Sequence, residues 1–167
     1  DMSIHHFDLC RFLSGVDPVA VYAHEFNPKG SWYRGDVAAS VIFEMTKGVV
    51  FTYRGSWCAE GCHTSWHGDW RFIGSRGTIL LEQDQPPTGE RVKNMRQKAF
   101  FRDKVPVKPY KQAVKHTGIE GSLNEFLDAL SSRRKPQSEC HDNIKSLAMV
   151  FAAIESAKKK RRVKVKV

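Results

Sequence analysis

The sequence has few of the features that mark a membrane, extracellular or fibrous protein. Apolar runs such as Val150 to Ile154 fall far short of the ~20 residues that a helix needs to span a bilayer. Cysteine is scarce: Cys10, Cys58, Cys62 and Cys140 are irregularly spaced, which argues against a disulfide scaffold and for a reducing cytoplasm. No signal-peptide pattern, internal repeat or glycine-rich G-x-G-x-x-G phosphate loop occurs. No initiator Met leads: the chain opens on Asp-Met-Ser-Ile-His-His-Phe-Asp. With no capping residue ahead of that charged, helix-like segment, it reads as the edge of a longer chain.

What is present suits one globular domain. At 167 residues with 41% hydrophobic and 11% aromatic content, folding should remove roughly two-thirds of the unfolded surface from water. The net charge of +9 is concentrated: seven cations between Lys158 and Lys166 leave a body of only +2.

Apolar spacing over Ile4, Phe7, Leu9, Phe12 and Leu13 predicts a helix from Ser3 to Ser14, with Gly15 as its stop and Pro18 beyond. Five β-rich runs follow, Val19–Phe26, Val37–Thr46, Val49–Ala59, Thr64–Ile73 and Thr78–Glu82, separated by turn residues such as Lys47-Gly48 and Ser75 to Gly77. Between Gln83 and Lys108 the composition turns to Pro, Lys, Gln and Arg, an irregular insertion with one short strand expected near Ala99 to Phe101. A helix is then expected from a capping box of Ser122 and Glu125, carrying Leu123, Phe126, Leu127 and Leu130 on one face. Pro136 ends it. A last helix bears Ile144, Leu147, Phe151 and Ile154 as a single stripe, and Val163 to Val167 alternates like an edge strand. The order of helix, strands, helices and strand predicts an α+β fold.

Four groups of residues could carry chemistry. Asp1 and His5 are four apart, so a helix would place both on one face, where a carboxylate orients an imidazole for proton transfer. In the competing reading, Asp1 is a helix-start acid and His5 a surface residue. Cys58, Cys62, His63 and His67 offer zinc-type donors, but structural zinc sites separate their ligand pairs by a dozen or more residues, so no metal ligand is assigned. The run Lys158 to Lys166 could grip phosphate. The valines within it keep a period of two, which favours a helix end followed by a lysine-protected edge strand. Trp32, Trp57, Trp66 and Trp70 lie in or beside the strands, where either sheet face could bound a pocket.

The opening D-x-x-x-H followed by H-x-D-L-x-R-x-L-x-G, Asp1 to Gly15, resembles the motif region of the Gfo/Idh/MocA family of NAD(P)-dependent oxidoreductases, named for glucose-fructose oxidoreductase and inositol dehydrogenase. Gly35-Asp36 before Ala39 to Phe43, Gly48 to Phe51, Gly68 to Thr78, Asn124 to Leu130 with Pro136, and Asp142-Asn143 leading to Ser156-Ala157 follow in the order of that family's C-terminal domain. The resemblance covers the chain except Gln83 to Lys115.

It implies a broad, mostly antiparallel sheet with helices on one face and a homo-oligomer interface on the other. It also implies that His5 takes the hydroxyl proton of a sugar, polyol or related substrate as hydride leaves, with Asp1 orienting it, and that His67 and Tyr110 approach the substrate. NAD or NADP would be bound mainly by an upstream nucleotide-binding domain, since no cofactor-binding residue of that kind lies in this chain, which is therefore expected to be inactive alone. A non-catalytic binding module whose basic tail meets nucleic acid or another acidic partner is the alternative.

Overall fold

A computed structural model describes residues 2–110 and 114–167. The fold is α+β, and its elements group into two compact units, one comprising the chain up to Glu60 together with His116–Val167, the other Gly61–Lys115.

In the first unit, helix α1 covers Ser3–Ser14 and stops at Gly15, whose left-handed backbone (φ 62°) turns its N–H onto the Arg11 carbonyl at 2.8 Å. A left-handed residue at this point is why glycine follows the last helical turn. Strands β1 (Pro18–Phe26), β2 (Ala38–Met45) and β3 (Val50–Ser56) form an antiparallel meander. Helices α2 (Gly118–Ser131) and α3 (Cys140–Lys159) come much later in the chain, and β8 (Val163–Lys164) returns to pair with β1, giving the sheet order β3-β2-β1-β8.

Alternation decides which face of this sheet is covered. Val21 and Ala23 of β1, Val41 and Phe43 of β2 and Phe51 of β3 are buried, as are Phe7 of α1 and Met149 of α3. The Phe7 ring meets Phe43 edge-on, with centroids 4.8 Å apart. Burying a ring of this size contributes about 1.5–3 kcal/mol, so α1 is held by one phenylalanine more than by helix propensity. Ser156, fully buried on α3, accepts from the Ala23 N–H at 2.9 Å and donates to the Arg161 carbonyl at 2.6 Å. One hydroxyl thus serves a strand amide beyond the short β8 and the chain leaving the helix.

The second unit is a four-stranded antiparallel meander, β4 (Trp70–Gly74), β5 (Gly77–Leu81), β6 (Thr88–Val92) and β7 (Lys104–Pro106), in that spatial order. Its β5–β6 pairing is close at Gly77, where a Cβ would stand 2.2 Å from the Glu90 carbonyl oxygen. Only glycine fits there.

Several expectations need correction. The broad sheet is divided into two four-stranded sheets. Residues Ala99 to Phe101 are not a strand; Phe100 is 95% and Phe101 80% exposed, so this apolar cluster finds no sheet to bury it. The strands of that region are β6 and β7, whose pairing is carried by backbone bonds. Strand β4 starts only at Trp70, residues 64–69 being turn and irregular chain. The capping box is not formed: α2 starts four residues earlier, after Thr117, and Ser122 donates to the Gly118 carbonyl inside the helix. Glu125 instead accepts from Arg134 at 2.5 Å and from the Gln137 N–H at 3.1 Å, tying α2 to the turn that follows it. The closing strand is limited to Val163–Lys164, with the Val165 N–H adding one bond to the Val19 carbonyl. No described helix is long and apolar enough to cross a membrane.

Candidate functional site

Helix α1 sorts its polar residues by direction. Phe7 goes to the core; His5 lies exposed on the first turn, its N–H bonded to the Met2 carbonyl at 3.2 Å. Asp1, the other half of the expected pair, lies outside the described residues. His6 rests against the Tyr53 ring, centroids 5.6 Å apart, and Phe7 packs on the same ring at 5.4 Å. Burial pushes the Tyr53 phenol above its ordinary pKa. Tyr53 also explains Gly55: a Cβ there would stand 2.1 Å from the phenol oxygen, and the ring, held by His6 and Phe7, has little room to yield. A cleft of about 50 Å³ lies beneath, bounded by Ser3, Phe7, Glu25 and Tyr53 with residues of α3. It admits water; small-molecule sites are usually ~300 Å³ or more.

The orientation of α1 is set by Arg11, which is 7% exposed. Its guanidinium donates to Ser146 Oγ at 2.9 Å, to Asp142 Oδ1 at 2.8 Å and to Asp17 Oδ1 at 3.1 Å. Asp8 stands 3.7 Å away and accepts from Ser146 at 2.6 Å. Lys145 closes the group on Asp17 at 2.8 Å. The bond from Lys145, then that from Arg11, holds the Asp17 carboxyl below its usual range. A nearly buried cation is tolerable only when paired and hydrogen-bonded, and here the pairing joins α1 to α3. The H-x-D-L-x-R motif is therefore partly architectural: Asp8 and Arg11 fix the helix that displays His5.

In the second unit His67 has a partner that the sequence did not suggest. Its Nδ1 lies 2.9 Å from Asp84 Oδ1, the same oxygen accepts from Ser65 at 2.9 Å, and the His67 N–H bonds back to Ser65 Oγ at 3.2 Å. Asp84 and its neighbour Gln83 both have left-handed backbones, φ 55° and 51°. Such conformations cost non-glycine residues energy; here the Gln83 N–H to Asp69 Oδ1 bond at 2.9 Å supports them. His67, followed by Ser65, holds the Asp84 carboxyl below its ordinary pKa. The imidazole is oriented through one nitrogen, leaving Nε2 for another group. Tyr110 is 91% exposed. His5 belongs to one unit, His67 and Tyr110 to the other.

The remaining sequence candidates resolve differently. His67 is engaged by Asp84, while Cys58 Sγ lies 3.4 Å from Ser56 Oγ. The basic run follows the structural account in part: Lys159 pairs with Glu155 at 2.6 Å as α3 ends, Lys160 adopts the left-handed cap, and Arg162 Nε donates to Glu44 at 2.6 Å.

Among the described residues, all strand pairings are antiparallel. A dinucleotide cradle needs a parallel βαβ unit with its phosphate-binding turn, and the described residues do not form one.

Comparison with known proteins agrees with this architecture. The model of the oxidoreductase family C-terminal alpha/beta domain, GFO_IDH_MocA_C, matches residues 1–166. An uncharacterized protein, y4oX of Sinorhizobium fredii, is 25% identical over 170 residues, covering 98% of this chain and 45% of the relative. An oxidoreductase of Agrobacterium radiobacter, solved with NAD+, L-tartaric acid and magnesium, superposes with a TM-score of 0.73 at 22% identity, over 99% of this chain and 48% of its own. A levoglucosan dehydrogenase in complex with NADH and L-sorbose gives 0.73 at 17% identity, over 99% and 49%. This chain thus spans about half the length of the proteins it matches.

Proposed function

The chain belongs to the Gfo/Idh/MocA oxidoreductase family as its C-terminal α/β domain, and from that premise we propose that it forms the substrate-binding half of an NAD(P)-dependent dehydrogenase. The substrate class we assign is a sugar, polyol or related hydroxy compound. The observation that carries the reading is His5, exposed on the first turn of a helix whose far end is fixed by the Arg11 cluster. A proton acceptor must be accessible yet held in place; the exposure of His5 and the anchoring of α1 support this reading. L-tartaric acid and L-sorbose, bound to the two similar structures, are both hydroxylated and support the substrate class.

The chemistry is an alcohol oxidation. A bound oxidised nicotinamide would supply the acceptor for the carbinol hydride and its two electrons, and no residue of this chain is assigned to hold it. The hydroxyl proton goes to the His5 imidazole, Asp1 orienting that ring, and the C–O bond becomes a carbonyl. His67, steadied by Asp84, and Tyr110 contribute contacts to substrate hydroxyls. The outward face of the first sheet, with Tyr22, Ile42 and Val50 all exposed, is where we place a second copy of the chain. A cytoplasmic location is assigned from the irregular spacing of the cysteines in the sequence alone.

The direct test is nicotinamide reduction by a protein carrying this domain joined to its coenzyme-binding half, across a panel of sugars, polyols and hydroxy acids. We expect NADH or NADPH to form with a member of that panel. The domain alone should neither turn over nor bind either coenzyme; calorimetric binding of NAD(H) or NADP(H) by residues 1–167 would overturn the assignment. Within the active protein, Asp84→Asn should raise KM by roughly threefold to tenfold, the worth of a charge-assisted hydrogen bond that positions a binding group. Its kcat should hold, whereas an equal fall in kcat would move His67 from binding to chemistry.

A further inference from the structure

Where α3 begins, three consecutive side chains of different donor chemistry converge. Glu139, Cys140 and His141 each offer one ligand atom, and these atoms lie within 4.8 Å of one another. Cys140 Sγ stands 3.6 Å from Glu139 Oε1 and 3.5 Å from His141 Nδ1. The carboxylate and the imidazole hydrogen-bond to each other. We propose that these three residues form a site for a borderline divalent cation of the Zn²⁺ type, separate from the residues assigned to the dehydrogenase reaction.

The distances carry the argument. Tetrahedral bonds of ~2.3 Å to sulfur and ~2.0–2.2 Å to nitrogen or oxygen imply sulfur-to-nitrogen and sulfur-to-oxygen separations of about 3.5 Å. The two sulfur separations already have that value. Only the carboxylate–imidazole pair must part, and the three hydrogen bonds among these atoms give way to three metal bonds. A thiolate, an imidazole and a carboxylate together suit zinc, cobalt or nickel better than magnesium or calcium, which prefer oxygen alone.

The backbone holds the set in place. Glu139 sits at the N-cap with extended φ and ψ, and its carbonyl accepts the N–H groups of Asp142 at 3.1 Å and Asn143 at 2.9 Å. The Glu139 backbone is therefore anchored over the first helical turn. Two features limit affinity: the positive end of the α3 dipole, and Lys135, whose Nζ lies 3.9 Å from Glu139 Oε2. Cys140 and His141 are exposed, which leaves the fourth position to water.

The test is titration of the reduced chain with Co²⁺, read by the near-ultraviolet sulfur-to-cobalt charge-transfer band, followed by displacement with Zn²⁺. One equivalent should develop the band and Zn²⁺ should abolish it. Cys140→Ser should remove it with the circular dichroism of the fold unchanged. His141→Ala should weaken Co²⁺ by more than about tenfold, since even groups that merely orient a ligand are worth ~10–100-fold. A band that persists in Cys140→Ser and vanishes in Cys62→Ser would move the metal to Cys62 and overturn the proposal. So would absence of the band at millimolar Co²⁺.

Discussion

Replacing His5 by alanine, in a protein that couples this domain to its coenzyme-binding half, should lower kcat by about 10²–10⁴-fold, the usual worth of a positioned general base. Stability should move by no more than about 0.5 kcal/mol, because the side chain lies on the open face of α1 and surface replacements are generally that mild. Phe7, which holds the helix to Phe43 and Phe51, is untouched. Free imidazole added to the His5→Ala protein should restore part of the rate, since it fits the space left and carries the missing function. An unchanged kcat, or a loss that imidazole does not rescue, would assign the proton to another group. His6 is the natural control: packed on Tyr53, it should affect stability more than rate.

The second large effect is structural. Arg11→Met keeps the aliphatic stem but leaves Asp8, Asp17 and Asp142 with Lys145 as their remaining close cation. Removing one partner of a fully buried ion pair costs ~3–5 kcal/mol. These carboxylates are about half exposed, so screening reduces the loss to ~2–4 kcal/mol. For a chain of this size that is a fall in Tm of about 5–12 °C, measurable by circular dichroism.

The effect has a defined pH dependence. The folded pKa of Asp17 is depressed, first by Lys145 and then by Arg11. The stabilisation is therefore present above the unfolded value of ~3.9 and is lost as pH falls through the lower folded value. The gap between wild type and Arg11→Met should accordingly be full at pH 7 and narrow below about pH 4. A gap independent of pH would mean that Arg11 acts by packing alone.

These two residues show what the sequence disclosed and what it concealed. The span of α1 was legible to the residue because apolar spacing and Gly15 agree. Strands β1 to β3 were legible because each alternates against one buried face. The importance of Arg11 was not, since its partners Asp142 and Ser146 are more than 130 positions away. Pairing over such distances leaves no local pattern.

The same limit hid Asp84 from His67, and left-handed φ values at Gln83 and Asp84 gave no warning in the absence of glycine. Strands β6 and β7 escaped for a different reason. Thr88-Gly-Glu-Arg-Val92 lacks an apolar alternation because little of it is buried, and Gly89 is present to let the backbones approach. At α2, Ser122 and Glu125 had the spacing of a cap but served the interior and the far end of the helix. Asp1, half of the expected catalytic pair, falls outside the described residues.

The second unit is one uninterrupted stretch, Gly61–Lys115, lying in sequence between β3 and α2. Phe7, Phe43 and Met149 all lie outside it, so the buried framework of the first unit is encoded entirely by the two flanking stretches.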